Sequence, residues 1–455
     1  MKELKILTPI GLLGYGIPQA DFQRGLDAGA DAVIVDAGST DPGPYLLGLG
    51  KMIVSGSALE SDLRLIVAGC IERRIPLLIG SAGGPGIAEH VDATIAIIAR
   101  IGRELGRVLN IAAIYADVPT QLVKEQLALG RISPCASAPE LTASDIGAST
   151  HIVAQMGAEP FLKVLRERPG IDVIVAGRAY DPAPFAAFCQ FHGIDDPGIY
   201  WHMGKIMECG AACAEPKGRV ILATVRQDSF DLVPMNPDER CTTLSVAAHT
   251  LYEKTRPDLL AGPGGVLDLT GAQYQQLDER TVRVRGSVFR PTPSYQVKLE
   301  GAAIAGHRTI FIGGIRDPIL VGQIDSFLAS VKARLRAGYP QMKSGEARID
   351  FHVYGKNGVM GEMEPCRDHV PLEVGILGEV TAPTQELANA ICSHARIGVL
   401  HLPYPGQMAT AGNFAIPLNP PENPIGPVCR FSLYHLMDVA SPLELFPVRY
   451  EESAA

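Results

Sequence analysis

Two stretches of the chain share one skeleton: VIVDAGSTDPGPY over residues 33–45 and VIVAGRAYDPAPF over residues 173–185. Each passes from an apolar Val-Ile-Val triplet through five variable residues into Asp-Pro-x-Pro and an aromatic ring. The variable five hold the reactive types: Asp36, Ser39 and Thr40 in the first copy, Arg178 and Tyr180 in the second. A carboxylate can move a proton, hydroxyls can hold a substrate, and a guanidinium can grip a carboxylate through two parallel hydrogen bonds. A third version, IFIGGIRDPIL, contributes Arg316 as a second cation for a carboxylate or phosphate.

Three further segments carry candidate groups. In WHMGKIMECGAACAEP, helical spacing gathers His202, Lys205, Glu208 and Cys209 within an arc of about 120°. Lys205 and Glu208 suit acid-base chemistry, or form an ion pair three residues apart on a solvent face. His202 and Glu208 stand six apart, which is not a ligand spacing, so no metal site is expected. The turn GSAGGPG follows an apolar strand and precedes a helix, so the amides at Gly83 and Gly84 could face an anion, or the glycines serve a tight turn. It is neither a Walker A loop nor a dinucleotide fingerprint. The nearly uncharged HLPYPGQMATAGNFAIP offers Gln407, Thr410 and Asn413 as hydrogen-bonding groups, or is a connection lying over a sheet.

Elements must then hold these groups. Val-Ile-Val is β-branched and apolar throughout, as a parallel strand covered on both faces requires. Asp41 and Asp181 are placed to cap the helices that follow, with Pro42 and Pro182 where no amide donor is needed. The repeated units therefore mark strand-to-helix junctions, which line the carboxyl edge of an open sheet, where ligands bind. Six strand-helix units in succession before residue 213 imply an α/β fold: a Rossmann-like parallel sheet with crossover helices. The expected division is a parallel α/β domain over 1–216 and an α+β domain over 217–455 ending in a proline-rich tail. The pocket expected from this lies at the carboxyl edge of the first sheet, capped by the second domain.

A chain of 455 residues suits two domains, and 47% hydrophobic with 20% charged residues describes a well-packed core. The net charge of −9 and the lack of basic clusters argue against nucleic-acid or anionic-membrane surfaces. With no long apolar segment, a cytoplasmic protein is expected. Nine cysteines without CxxC pairs fit reduced thiols.

Taken in order, GxxGYGxP, DAGSTDPGPY, GSAGG, GRAYDP, HMGKIMECGA, RCTTLSVAAHTLYE, YQVKLEGA with GHRTIFIGGIRDP, TAPTQELANAI with LHLPYPGQMATAGNFAIP, and SLYHLMDVASPLELFP resemble the acyclic terpene utilisation protein A (AtuA) family. The resemblance spans nearly the whole chain and implies a setting beside carboxylases and hydratases that degrade branched acyl-CoA compounds. It also implies a further small domain in some relatives, which for this chain would be a separate partner chain. Residues and resemblance together favour a lyase or isomerase of the hydration or dehydration type, acting on a small branched carboxylic acid or acyl-CoA thioester. Asp36, Lys205 and Glu208 would be catalytic. Ser39, Thr40, Gly83, Gly84, Arg178, Arg316, Gln407, Thr410 and Asn413 would contact substrate. No cofactor is evident, CoA entering only as part of the substrate, and a homo-oligomer is expected. The alternatives are a non-catalytic metabolite-binding subunit and a metal-assisted hydro-lyase using carboxylates at strand ends.

Overall fold

The strands Ala32–Asp36, Leu77–Gly80 and Val173–Ala176 are buried at every position, as apolar runs are when helices cover both faces of a sheet. The structure, a computed structural model, describes residues 3–251, 256–366, 368–410 and 413–453. It is a mixed α/β chain whose contacts divide it into two units, Met1–Ala303 with Phe431–Ala455, and Ile304–Arg430. Among the described residues, no helix is long and apolar enough to cross a membrane.

In the first unit, five strands pair in parallel in the order Leu4–Thr8, Ala32–Asp36, Leu77–Gly80, Val173–Ala176 and Asn110–Ile114. Successive side chains enter opposite cores: Ala32 and Ile34 join one, Val33 and Val35 the other. Helices Gln19–Asp27, Gly56–Arg73 and Ala88–Glu104 pack in the core with Val33 and Val35. Helices Glu159–Glu167, Ala183–Phe191 and Pro197–Met207 pack in the opposite one. Leu77–Gly80 and Val173–Ala176 are therefore neighbours whose following helices leave to opposite faces. The chain parts between them, and such a parting opens a crevice outside the carboxyl ends of the strands.

Several expectations are corrected. The parallel strands do not follow chain order, because Val173–Ala176 inserts between Leu77–Gly80 and Asn110–Ile114. His151–Gln155, read as a sixth parallel strand, instead pairs antiparallel with residues 298–302. The compact units do not divide at residue 216. Ile221–Val225 pairs antiparallel with Leu4–Thr8, and Ser229–Pro234 follows it, so these residues extend the first sheet. An unpaired Leu4–Thr8 would leave a buried apolar strand with an open edge. The tail behaves likewise at the far side, where Val448–Glu452 pairs with Asn110–Ile114.

Helix starts also differ from expectation. The first Asp-Pro unit yields a helix only at Tyr45–Leu49, capped by no side chain, and Asp181 turns to Arg178 instead of capping Ala183–Phe191. Asp317 does cap its helix, accepting from the Ile319 amide at 3.1 Å. The helix TLSVAAHTLYEK is formed over Thr243–Thr250, with a capping box between Thr242 and Ser245; Tyr252, Glu253 and Lys254 lie outside the described residues. In the second unit, Arg348–Tyr354, Val374–Ala382 and residues 307–315 form antiparallel pairs. Helices Ile324–Gly338 and Gln385–His401 share a core with these strands.

Candidate acid-base centre

Arg178 leaves the carboxyl end of Val173–Ala176 and is 2% exposed. A buried guanidinium needs partners for its donors, and the chain supplies them. Nε and Nη2 fork onto Glu300, at 2.9 and 3.4 Å. Nη1 donates to Ser81 Oγ at 3.1 Å, to the Ala179 carbonyl at 3.0 Å and to Asp181 at 3.3 Å. Lys298 Nζ lies 2.6 Å from Glu300 Oε1 and 4.9 Å from the centroid of the Tyr434 ring. Burial alone would raise the Glu300 carboxyl, but Arg178 and Lys298 outweigh it and hold it at about 2.

Asp36 closes the strand Ala32–Asp36 and is likewise buried. One oxygen accepts from the Gly38 amide at 3.1 Å, and the other, Oδ1, has no hydrogen-bond partner among the described residues. Its carboxyl is raised well above the usual range, first by burial, then by the Asp181 carboxylate and, more weakly, by Glu208; Arg178 opposes this. Asp36 thus shares an electrostatic neighbourhood with Asp181, Glu208 and Arg178, and that neighbourhood favours its protonated form. Lys205 Nζ donates to Glu208 Oε1 at 2.5 Å, both side chains being about 5% exposed. The helix Pro197–Met207 has no solvent face over Gly198–Met207. His202 points elsewhere, its Nδ1 2.5 Å from Ser287 Oγ and its ring against Phe230 and Tyr274, and burial lowers its pKa to about 3.

The glycine turn supports this centre from behind. Ser81, Gly83, Gly84 and Gly86 all have φ between 51° and 95°. At Gly86 a Cβ would stand 2.1 Å from the Arg178 amide nitrogen, so the turn can approach only without a side chain. The Arg178 amide donates to the Gly86 carbonyl. The amides of Ser81, Ala82, Gly84 and Gly86 all donate to backbone carbonyls. Gly38 and Gly84 meet backbone to backbone, a Cβ on Gly38 falling 3.1 Å from the Gly84 Cα. Thr40 is buried in the same loop as Asp36, and Ser39 Oγ accepts from the Asp41 amide at 3.2 Å.

Of the other candidates, Arg316, Gln407, Thr410 and Asn413 belong to the unit Ile304–Arg430. Arg316 is exposed and pairs with Glu373 at 3.1 Å. Asn413 donates to the Ala409 carbonyl at 3.1 Å, Thr410 is exposed and Gln407 half-buried. Sequence reasoning missed Ser81, Lys298 and Glu300. One signal was available: Lys298 and Glu300 are two apart in an apolar strand, hence on one face, and a glutamate flanked by Leu299, Gly301 and Ala302 demands a partner.

A cavity of about 490 Å³ opens at the other edge of the parallel strands, among Asp31, Pro76, Leu109 and Asp172. The carboxyl groups that mark acid-base sites stand instead at the carboxyl edge. The model of the acyclic terpene utilisation family protein AtuA matches residues 57–220 and 232–413. That span holds Arg178, Lys205, Glu208 and Glu300, while Asp36, Ser39 and Thr40 precede it. No curated protein and no solved structure matches the chain.

Proposed function

Because the chain belongs to the acyclic terpene utilisation protein AtuA family, we propose that it is a hydration or dehydration lyase, or an isomerase of related mechanism, for a small branched carboxylic acid or its acyl-CoA thioester. One observation supports this reading: the Asp36 carboxyl, raised by burial and by the Asp181 carboxylate, shares its surroundings with Glu208, whose carboxylate Lys205 pairs at 2.5 Å. Environments that push carboxyls in opposite directions are how one site keeps an acid and a base at the same pH.

In the dehydration direction, Glu208 takes the proton from the carbon next to the carboxyl or thioester carbonyl. Asp36 gives its proton to the departing hydroxyl, which leaves as water as the double bond forms. Lys205 tunes Glu208 and, by its charge, favours the enolate oxygen. Arg178 acts through others, fixing Asp181, Ser81 and Glu300, because its donors are engaged within the chain. Asp36, Arg178, Lys205 and Glu208 are buried, so this reading requires the loop 37–44 or the turn 80–86 to move for substrate to enter.

The test is turnover by the purified chain on branched hydroxyacyl-CoA and enoyl-CoA esters and the free acids, followed by solvent-deuterium incorporation at the carbon acid. Asp36→Asn and Glu208→Gln should abolish exchange and water loss while circular dichroism is unchanged. Retention of turnover in both variants overturns their assignment as acid and base. The saturated Arg178 network also favours a second reading, a non-catalytic metabolite-binding subunit whose charges only staple loops. Under that reading the isolated chain binds these compounds without turning them over, and activity appears only with a partner chain.

A further inference from the structure

Outside the acid-base centre, three side chains from distant parts of the sequence converge in the first unit. Glu89 lies in the first turn of the helix Ala88–Glu104, Asp117 in the loop after Asn110–Ile114, and His151 at the start of the strand His151–Gln155. One donor atom from each lies within 4.8 Å of the other two. Two folding features bring them together: the Asp117 backbone forms a bridge with Val153, and residues 151–155 turn away from the parallel sheet to pair with residues 298–302. Gly50 leaves room for the imidazole, since a Cβ there would fall 3.3 Å from His151 Nε2.

The second observation is independent of that proximity. Asp117 Oδ2 is buried and has no hydrogen-bond partner among the described residues. A buried carboxylate oxygen left unpaired is costly, so its retention beside an imidazole and another carboxylate calls for a partner that the polypeptide does not supply. We propose that Glu89, Asp117 and His151 bind one divalent first-row metal ion of the Mn(II)-to-Zn(II) class. The donor set matches that choice. Two carboxylates balance the ion's charge, the imidazole selects against Mg(II) and Ca(II), and no thiolate is present to demand a soft ion. Three protein donors also leave coordination open to water or an oxygen ligand. Glu89 is exposed and His151 half-buried, so the ion has an entry path. This site does not depend on the dehydration reading: it uses none of Asp36, Lys205 or Glu208.

The test uses the full chain stripped with chelator and titrated with Mn(II), the free ion being read by electron paramagnetic resonance. Thiolates bind Mn(II) poorly, which separates this site from the nine free cysteines. One equivalent should bind, and Glu89→Gln and Asp117→Asn should each weaken binding tenfold or more. Zn(II) should raise the melting temperature of the stripped protein but not that of either variant. Should Asp117→Asn fail to fold, Glu89→Gln decides alone, since that side chain is exposed. Failure of the wild-type chain to bind, or binding unchanged in Glu89→Gln, overturns the proposal whether or not the chain dehydrates any substrate.

Discussion

The Arg178 guanidinium forks onto the Glu300 carboxylate, Nε to Oε2 at 2.9 Å and Nη2 to Oε1 at 3.4 Å, with both side chains buried. The pair ties the loop after Val173–Ala176 to the strand Gln296–Ile315, more than a hundred residues further along the chain. It also decides what Arg178 is available for: a fork already closed on Glu300 is a positioning device.

Arg178→Lys tests this first. Lysine keeps the charge but cannot reproduce the fork or reach Ser81, Ala179 and Asp181 together. Unfolding in urea should show a loss of up to about 3–5 kcal/mol, the range for breaking a buried pair. An unchanged midpoint with weakened ligand binding would return Arg178 to direct substrate contact.

The pH dependence of Glu300 has a definite sign. Its folded carboxyl, at about 2, lies below the unfolded value of about 4.3. The stability it contributes, on the order of 3 kcal/mol before other terms, is present above the unfolded value and lost as pH falls toward 2. Glu300→Gln should therefore be less stable than wild type at neutral pH, and the gap should narrow below about pH 4. A gap independent of pH would mean that the charge of Glu300 is not what the fold uses.

Asp36 has the opposite sign. Its folded carboxyl is raised, so it keeps its proton while the unfolded chain ionises near about pH 3.9. Its contribution is fully favourable below that pH and is lost as pH rises toward the folded value. Asp36→Asn, which mimics the neutral acid, should gain in stability relative to wild type from about pH 4 upward and then level off. Thermal melts of both proteins across this range check it. A relative stability that falls with pH would show that Asp36 is ionised in the folded chain.

Gly86→Ala should be severe, because φ is 69° and the new Cβ would stand 2.1 Å from the Arg178 nitrogen. Gly43→Ala shares a positive φ of 115° but meets nothing within 4 Å. Gly43→Ala should cost about 1–3 kcal/mol of backbone strain alone, and Gly86→Ala clearly more, with loss of soluble protein as the readout. Equal effects would mean that the turn relaxes away from Arg178.

Much of this was written locally. The buried Val-Ile-Val strands, the glycine turn at residues 80–86 and the reactive types at Asp36, Arg178, Lys205 and Glu208 follow from β-branched runs, turn residues and charge at strand and helix ends. These are properties of a few neighbouring residues, and a sequence displays them. What each charge faces is not local. Lys298 and Glu300 reach Arg178 only because residues 298–302 pair with a strand that left the parallel sheet, and Glu89, Asp117 and His151 meet for the same reason.

The boundary expected at residue 216 failed on similar grounds, since the change of rhythm there marks only a switch from parallel to antiparallel pairing within one sheet. A strand's own pattern records that it will be buried, not which edge buries it. Local sequence therefore determined the elements and the kinds of group at their ends. Tertiary structure decided which charges neutralise one another, because in a buried, weakly screened interior a pKa is set by the nearest few ångströms of space, whatever the separation along the chain.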